Sequence, residues 1–235
     1  MVGVGFSFIL SPLNDTPIHF IHRSSFLSFL PSSITQKGKI AAPLAAGGML
    51  LSLILSQGHL SGTHINPAVT VGLFMRKGGK AKDRGKAIGY VLAQVLGALM
   101  AARLGSAAFG KEVCQGKLLP TPVAGGSEGQ AFGAEGLFTA LFVQAILTFT
   151  GTTTLPSLLT PLAIAATLVA GLLGAGGLSG GGLNPAVATA LYLVNSTGKQ
   201  MQSLWVYWLA PVLAAVVVGL GNDKWAGGEG GVEDT

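Results

Sequence analysis

Long apolar segments and short polar links alternate along the chain from about residue 40 onward. Five of the segments approach the ~20 residues that a helix needs to cross a bilayer. They are Ile40–Gln57, Ala87–Ala107, Phe132–Thr150, Ser157–Gly177 and Gln202–Leu220. Two other apolar pieces, Asn66–Met75 and Asn184–Val194, are too short to cross, and both begin with Asn-Pro-Ala. The pattern predicts an all-α membrane protein with five full spans and two short helices.

The composition points to the same class. Of the 235 residues, 49% are hydrophobic and 10% are charged, whereas a soluble domain carries about 25% charged residues. The mean hydropathy is +0.60. The net charge of +5 comes mainly from the loop Arg76–Lys86, which has six basic residues and one acid. A short basic loop stays on the cytoplasmic side of a membrane. We therefore expect a multi-pass protein in contact with the lipid bilayer and no nucleic-acid partner.

The chain contains an internal repeat. Asn66 and Asn184 are 118 positions apart, and the same offset relates other short sequences. The tripeptide PLA occurs at 43–45 and 161–163, LSG at 60–62 and 178–180, and NPAV at 66–69 and 184–187. Each half contains a span, a short helix and another span. Repeats inserted in opposite orientations, with half-helices meeting near the midplane, are a known way to build a transport path.

The repeat also shows what the first half lacks. At the offset of 118, Glu135 of the second half corresponds to Pro17, and the window 17–32 contains neither a matching Glu nor an uninterrupted span. We expect the first helix of the first half to be absent or degraded. Residues 1–39 then form a degenerate or disordered segment, or they are a gene-model artefact that replaces a sixth span.

The two Asn-Pro-Ala motifs favour a pore. Asn is a preferred N-cap and Pro suits the first helical position, so each motif begins a helix. Two such N-terminal ends at the membrane centre repel cations, including hydronium. The side-chain amides of Asn66 and Asn184 can donate hydrogen bonds to a passing solute, and the carbonyls of 62–65 and 180–183 can accept them. Irregular backbone at membrane depth is tolerated where it is buried in protein or lines a wet path.

Four stretches carry a resemblance to the aquaporin, or major intrinsic protein, family. They are GHLSGTHINPAVT (58–70), AEGLFTALFV (134–143), GGLSGGGLNPAV (176–187) and LWVYWLAPVLAA (204–215). The resemblance covers residues 40–221 and implies an inverted repeat with two half-helices, cytoplasmic termini and a homotetramer with one pore per subunit. It places Asn66, Pro67, Ala68, Asn184, Pro185 and Ala186 at the central constriction. It also makes Glu135 the buried carboxylate that braces the second loop. Residues 222–235 are then an acidic, glycine-rich tail that we expect to be disordered.

The same resemblance implies a second constriction, toward the outer side. Its four positions are Ala46, Leu172, Gly181 and Val187. Water-selective members carry an aromatic residue, a His and an Arg in this ring, and Val187 stands where the Arg would be, as in some tonoplast-type members. A small apolar ring favours glycerol, urea, ammonia or hydrogen peroxide beside water. Two other positions favour water: Ala188 replaces the Asp of glycerol channels, and Tyr207-Trp208 resembles the water-channel pattern.

Several alternatives follow from the sequence. The leading hypothesis is a passive channel for water and small uncharged solutes, in a plasma or vacuolar-type membrane. The alternative is a non-conducting structural or regulatory subunit of tetramers, which gains weight if residues 1–39 are authentic. A secondary transporter is a poor match, because Glu135 and Arg103 are the only ionisable groups within the spans. No nucleophile–base pair, metal cluster or cofactor motif is present, so we expect neither catalysis nor a cofactor. His64 is either a structural histidine or a contact to the pore loop.

Overall fold

The computed structural model describes residues 36–76, 84–109, 122, 126–151, 158–195 and 201–226, and the regular elements among these residues are all helices. The helices are α1 (Gln36–Ser61), α2 (Pro67–Met75), α3 (Arg84–Phe109), α4 (Glu128–Gly151), α5 (Leu159–Gly176), α6 (Pro185–Asn195) and α7 (Val206–Ala226), the last preceded by a 3-10 turn at Gln202–Trp205. Within these residues, five helices are long and apolar enough to cross a membrane. The prediction of five spans and two short helices is confirmed.

Several helices extend beyond the apolar segments that predicted them. The helix α1 begins at Gln36, upstream of the expected start at Ile40, and α7 continues to Ala226, beyond the expected end at Leu220. The predicted absence or degradation of an earlier helix falls on residues 1–35, which lie outside the described residues. The last part of the predicted tail, 227–235, also lies outside them.

The internal repeat appears as a repeat of packing. The helices α1, α2 and α3 correspond in order to α5, α6 and α7, and α4 precedes the second set. The spans α1 and α5 pack on each other. Each half-helix packs mainly on the last span of the other half, α2 on α7 and α6 on α3. The two halves are therefore interlocked, and neither half-helix is supported by its own half alone.

The helix α4 lies against both α5 and α7. It begins with a capping box, in which the backbone N–H of Gln130 donates to Ser127 Oγ (3.1 Å) and the backbone N–H of Ser127 donates to Gln130 Oε1 (3.0 Å). These two bonds satisfy donors that a helix start would otherwise leave unpaired. They explain why α4 begins at Glu128, before the apolar run that predicted Phe132.

Burial is distributed as in a membrane protein. On α3 the large aliphatic side chains of one face are exposed, namely Ile88, Leu92, Leu96, Met100 and Leu104. Their spacing of four residues forms one stripe along the helix. Polar side chains are buried between the helices instead, including Asn66, Thr70, Gln94, Glu135, Thr139 and Ser179. The apolar outside suits lipid, and the polar inside is where a solute path can be built.

Glycines allow α2 to approach α7 closely. A Cβ added at Gly219 would lie 2.6 Å from the Gly72 carbonyl oxygen and 2.7 Å from Met75 Cβ. A Cβ added at Gly72 would lie 3.6 Å from the Ala215 carbonyl oxygen of α7 and 2.5 Å from Val143 Cγ1 of the neighbouring α4. The first half-helix can therefore pack this closely only because Gly72 and Gly219 have no side chains.

We expect Gly219→Ala to destabilise the folded protein, because the added methyl meets backbone that cannot move aside. Overpacking of this kind costs about 1–3 kcal/mol. Gly221→Ala is the matched control, since a Cβ there has nothing within 4 Å. Thermal unfolding followed by fluorescence-detected size exclusion should show a lower midpoint for Gly219→Ala alone. Equal midpoints for the two variants would contradict this account of the crossing.

Candidate functional site

Each half-helix begins at an asparagine that caps it. Asn66 Oδ1 accepts from the backbone N–H of Ala68 at 2.9 Å, with Pro67 in the first helical position. Asn184 Oδ1 accepts from the backbone N–H of Ala186 at 3.1 Å, with Pro185 in the same place. The two starts are built alike because Asn supplies the acceptor and Pro has no N–H to satisfy.

The same two asparagines join the two halves. Asn66 Nδ2 donates to the carbonyl of Leu183 at 2.8 Å, and Asn184 Nδ2 donates to the carbonyl of Ile65 at 3.0 Å. Each bond links one motif to the residue that precedes the other. The N-terminal ends of α2 and α6 are therefore held together, and their dipoles place positive potential at one point. An amide nitrogen has two N–H groups, so each Asn keeps one further donor for a solute.

The loops that lead to the asparagines share an unusual backbone. Three left-handed residues occur in each loop at repeat-related positions: Gly62, Thr63 and Ile65 in the first, and Gly180, Gly181 and Leu183 in the second. The φ angles of Ile65 and Leu183 are 41° and 47°. Such a φ at a residue with a side chain costs about 1–3 kcal/mol and persists only where surrounding contacts hold it. The contacts that brace each loop therefore decide the geometry of the constriction.

Glu135 on α4 braces the second loop. Its side chain is fully buried. One carboxylate oxygen accepts from Ser179 Oγ (2.6 Å) and the Gly182 N–H (2.7 Å), and the other accepts from the Leu183 N–H (2.6 Å). Position 182 must be glycine, because a Cβ would lie 2.7 Å from Tyr207 Cδ1 and 3.3 Å from the carboxylate. Glu135 thus anchors Leu183, whose carbonyl receives the bond from Asn66.

Two tyrosines support the loops in equivalent ways, a role that was not predicted for them from the sequence. Tyr207 Oη donates to the Ser179 carbonyl at 2.6 Å, and Tyr90 Oη donates to the Ser61 carbonyl at 3.2 Å. The signal that could have found them is the repeat itself, in which the serines correspond at the offset of 118 and the tyrosines at an offset of 117.

The four positions of the expected outer ring are distributed over three helices and the second pore loop. Leu172 and Gly181 are neighbours, since the Leu172 carbonyl oxygen lies 3.0 Å from the place of a Gly181 Cβ. Val187 lies in the first turn of α6, half-buried, and its N–H donates to Asn184 Oδ1 at 3.4 Å. Ala46 lies on α1, half-buried, beside the α1–α5 crossing at Gly47. None of these four residues offers a side-chain hydrogen-bonding group.

Metal ligands are not gathered in the part of the chain that the structure describes. No group of three or more His, Cys, Asp or Glu side chains there could hold an ion. The polar groups of the site are amides, backbone N–H and carbonyl groups, and hydroxyls, which suit binding of neutral hydrogen-bonding molecules.

Comparisons with known proteins agree on one family. The family model of the Major intrinsic protein matches residues 18–221. Aquaporin Z of Photorhabdus laumondii is 31% identical over 191 residues, covering 77% of this chain and 80% of that protein. Aquaporin Z of Bradyrhizobium diazoefficiens is 34% identical over 192 residues, covering 78% of each.

A relative with a different name matches equally well. The glycerol uptake facilitator protein-like 6 of Lactiplantibacillus plantarum is 32% identical over 193 residues, covering 78% of this chain and 84% of that protein. Among solved structures, the aquaglyceroporin from Plasmodium falciparum superposes with a TM-score of 0.72 at 20% identity, covering 88% of this chain and 91% of that one. That structure supports the fold of the described helices.

Proposed function

This chain belongs to the major intrinsic protein family and is a multi-pass membrane channel for water and small solutes, not an enzyme; from that premise we propose that its path runs past Asn66 and Asn184 and admits neutral solutes of glycerol size. The family membership favours a conducting channel over a non-conducting subunit. The proposed channel domain is 40–221.

One observation carries the proposal about solute size. The four residues of the proposed outer ring are Ala46, Leu172, Gly181 and Val187, none of which is aromatic, charged or able to donate a side-chain hydrogen bond. Gly181 has a φ of 69°, and a side chain there would meet the Leu172 carbonyl. Both facts keep this position free of side-chain atoms. A ring of this kind is wider and less polar than one with an aromatic, a His and an Arg, and it suits glycerol, urea, ammonia or hydrogen peroxide beside water.

We propose that ions are excluded at the centre of the path, where Asn66 and Asn184 meet. The half-helices α2 and α6 direct their N-terminal ends at the linked asparagines, where a cation meets positive potential and little water. A water that accepts from the remaining N–H of each Asn has its orientation fixed, which interrupts a chain of proton transfer. We further propose a homotetramer with one pore in each subunit, as the family resemblance implies.

Val187→Arg is the test of the proposed ring. The guanidinium adds volume and donors, so glycerol permeability should fall roughly tenfold or more, a difference of about 1.4 kcal/mol in the barrier, while water permeability falls less. Stopped-flow light scattering on proteoliposomes measures both solutes side by side.

Val187→Leu is the matched control, because it changes shape without adding charge. It should keep the parent's ratio of glycerol to water permeability within about twofold. A parent channel that conducts water but no glycerol would refute the proposal of a wide ring. An Arg variant that conducts glycerol like the parent would remove Val187 from the ring.

A further inference from the structure

The first loop needs a brace as much as the second, yet it has no carboxylate at the related position. Ile65 is β-branched and left-handed, with φ 41°, which is a strained combination. Its carbonyl must face Asn184 to make the 3.0 Å link. In the second loop Glu135 holds the equivalent Leu183. At the offset of 118 the first half has Pro17 in place of that Glu.

The first loop is contacted instead by a cluster of polar side chains from α2 and α3. The ring of His64 stacks on Tyr90, with centroids 4.8 Å apart and an interplanar angle of 25°. His64 Nδ1 is 3.3 Å from Thr70 Oγ1. Gln94 Nε2 donates to the same oxygen at 2.9 Å. Thr70 Oγ1 in turn donates to the carbonyl of Asn66 at 3.2 Å. The cluster therefore connects the loop residue next to Ile65 with α2, α3 and the first asparagine.

The hydrogen bonds of Thr70 determine which group donates in each contact of the cluster. A hydroxyl has one hydrogen and two lone pairs. With the hydrogen on the Asn66 carbonyl and one lone pair receiving Gln94, the second lone pair is left for His64, which then donates through Nδ1. All of the hydroxyl's capacity is used, and the side chains of Thr70 and Gln94 are fully buried.

The second half cannot form this cluster. At the offset of 118, His64 and Thr70 correspond to Gly182 and Ala188, and in the last span of each half, where the offset is 117, Gln94 corresponds to Pro211. None of these three positions in the second half has a hydrogen-bonding side chain. The two loops have the same backbone shape but are held by different side chains, a carboxylate in one and a His–Thr–Gln cluster in the other.

We propose that His64 is the positioning residue of the first pore loop, taking the part that Glu135 takes in the second. Stacking on Tyr90 and donation to Thr70 fix the imidazole, and the fixed imidazole holds the adjacent Ile65 carbonyl toward Asn184. The proposal rests on the proposed path past the two asparagines.

Two substitutions separate the contacts of His64. His64→Phe keeps a ring for Tyr90 and loses the donor to Thr70, whereas His64→Gln keeps a donor. His59→Phe is the matched control, because His59 is exposed at the end of α1. Each variant is purified as the full chain, and its folded fraction is measured by size exclusion. Water permeability per folded channel, and the activation energy of that permeability, are then measured in proteoliposomes.

His64→Phe should lower water permeability per folded channel at least about fivefold, the scale of one lost hydrogen bond, and raise the activation energy. His64→Gln should recover most of the loss, and His59→Phe should match the parent. If His64→Phe reduces only the folded fraction, His64 is a packing residue and the proposal is overturned.

Thr70→Val keeps the test decisive if His64→Phe does not fold. It should reproduce the loss, and combining it with His64→Phe should add little, since residues of one cluster are not additive. A Thr70→Val channel that conducts like the parent would also overturn the proposal. All of these variants are compared by their water permeability. A parent channel that conducts water but no glycerol would therefore refute the proposed wide ring without affecting the test of His64.

Discussion

Glu135→Gln should abolish most water flux through channels that still assemble. The carboxylate accepts three hydrogen bonds, from Ser179, Gly182 and Leu183, and both of its oxygens are used. An amide has one acceptor oxygen, so its NH₂ group must face at least one of these donors. Losing a charge-assisted bond and leaving a buried N–H unpaired costs about 2–4 kcal/mol. Leu183 then loses its anchor, and its carbonyl is no longer held toward Asn66.

The measurement is stopped-flow water permeability per folded channel, with the folded fraction determined separately. We expect a fall of at least about tenfold, corresponding to about 1.4 kcal/mol. Glu128→Gln is the control on the same helix, where the carboxylate is exposed and accepts from Ser203 at 2.7 Å. Full flux in Glu135→Gln would show that the second loop keeps its shape without this brace.

Asn184→Asp should reduce water flux and admit cations. Asp is as good an N-cap as Asn, so α6 keeps its start at Pro185. The bond to the Ile65 carbonyl is lost, because a carboxylate oxygen 3.0 Å from a carbonyl oxygen is repelled instead of bound. A negative charge also enters where the helix ends otherwise repel cations. We expect water permeability to fall about tenfold and a measurable cation current.

Asn184→Ser separates the two causes. Serine also caps a helix, but it is too short to make the link and adds no charge. It should lose water flux without gaining cation conductance, as measured on planar bilayers and with a pH-sensitive dye in vesicles. Unchanged flux and no leak in Asn184→Asp would contradict the central position of Asn184.

Much of the architecture could be predicted because it depends on local chemistry. Apolar runs of bilayer length gave the five spans, and Asn followed by Pro gave the starts of α2 and α6. The offset of 118 gave the inverted halves. Helix ends were harder, since α7 continues through polar Asn222, where an apolar pattern has already stopped. The start of α4 depends on the Ser127–Gln130 capping box, a signal that was present in the sequence.

The bonds between the loops could not be predicted from the chain alone. Nothing in the sequence says that the amide of Asn66 meets the carbonyl of Leu183, because that contact exists only once both halves are folded. The positive φ of Ile65 also contradicts the preference of a β-branched residue. The roles of Ala46, Leu172, Gly181 and Val187 depend on the family resemblance, and they stay predictions.

The exchange of half-helices between the halves has a consequence for how the protein is made. The helix α2 packs on α7, which begins 131 residues after α2 ends. At about 5–20 residues per second, the first half-helix waits roughly 8–30 seconds until α7 is complete. The half-helix is too short to cross the bilayer, and during that interval it lacks the helix on which it mainly packs in the folded protein. Insertion into the membrane and completion of the pore are therefore separate events, and the second waits until α7 has been synthesised.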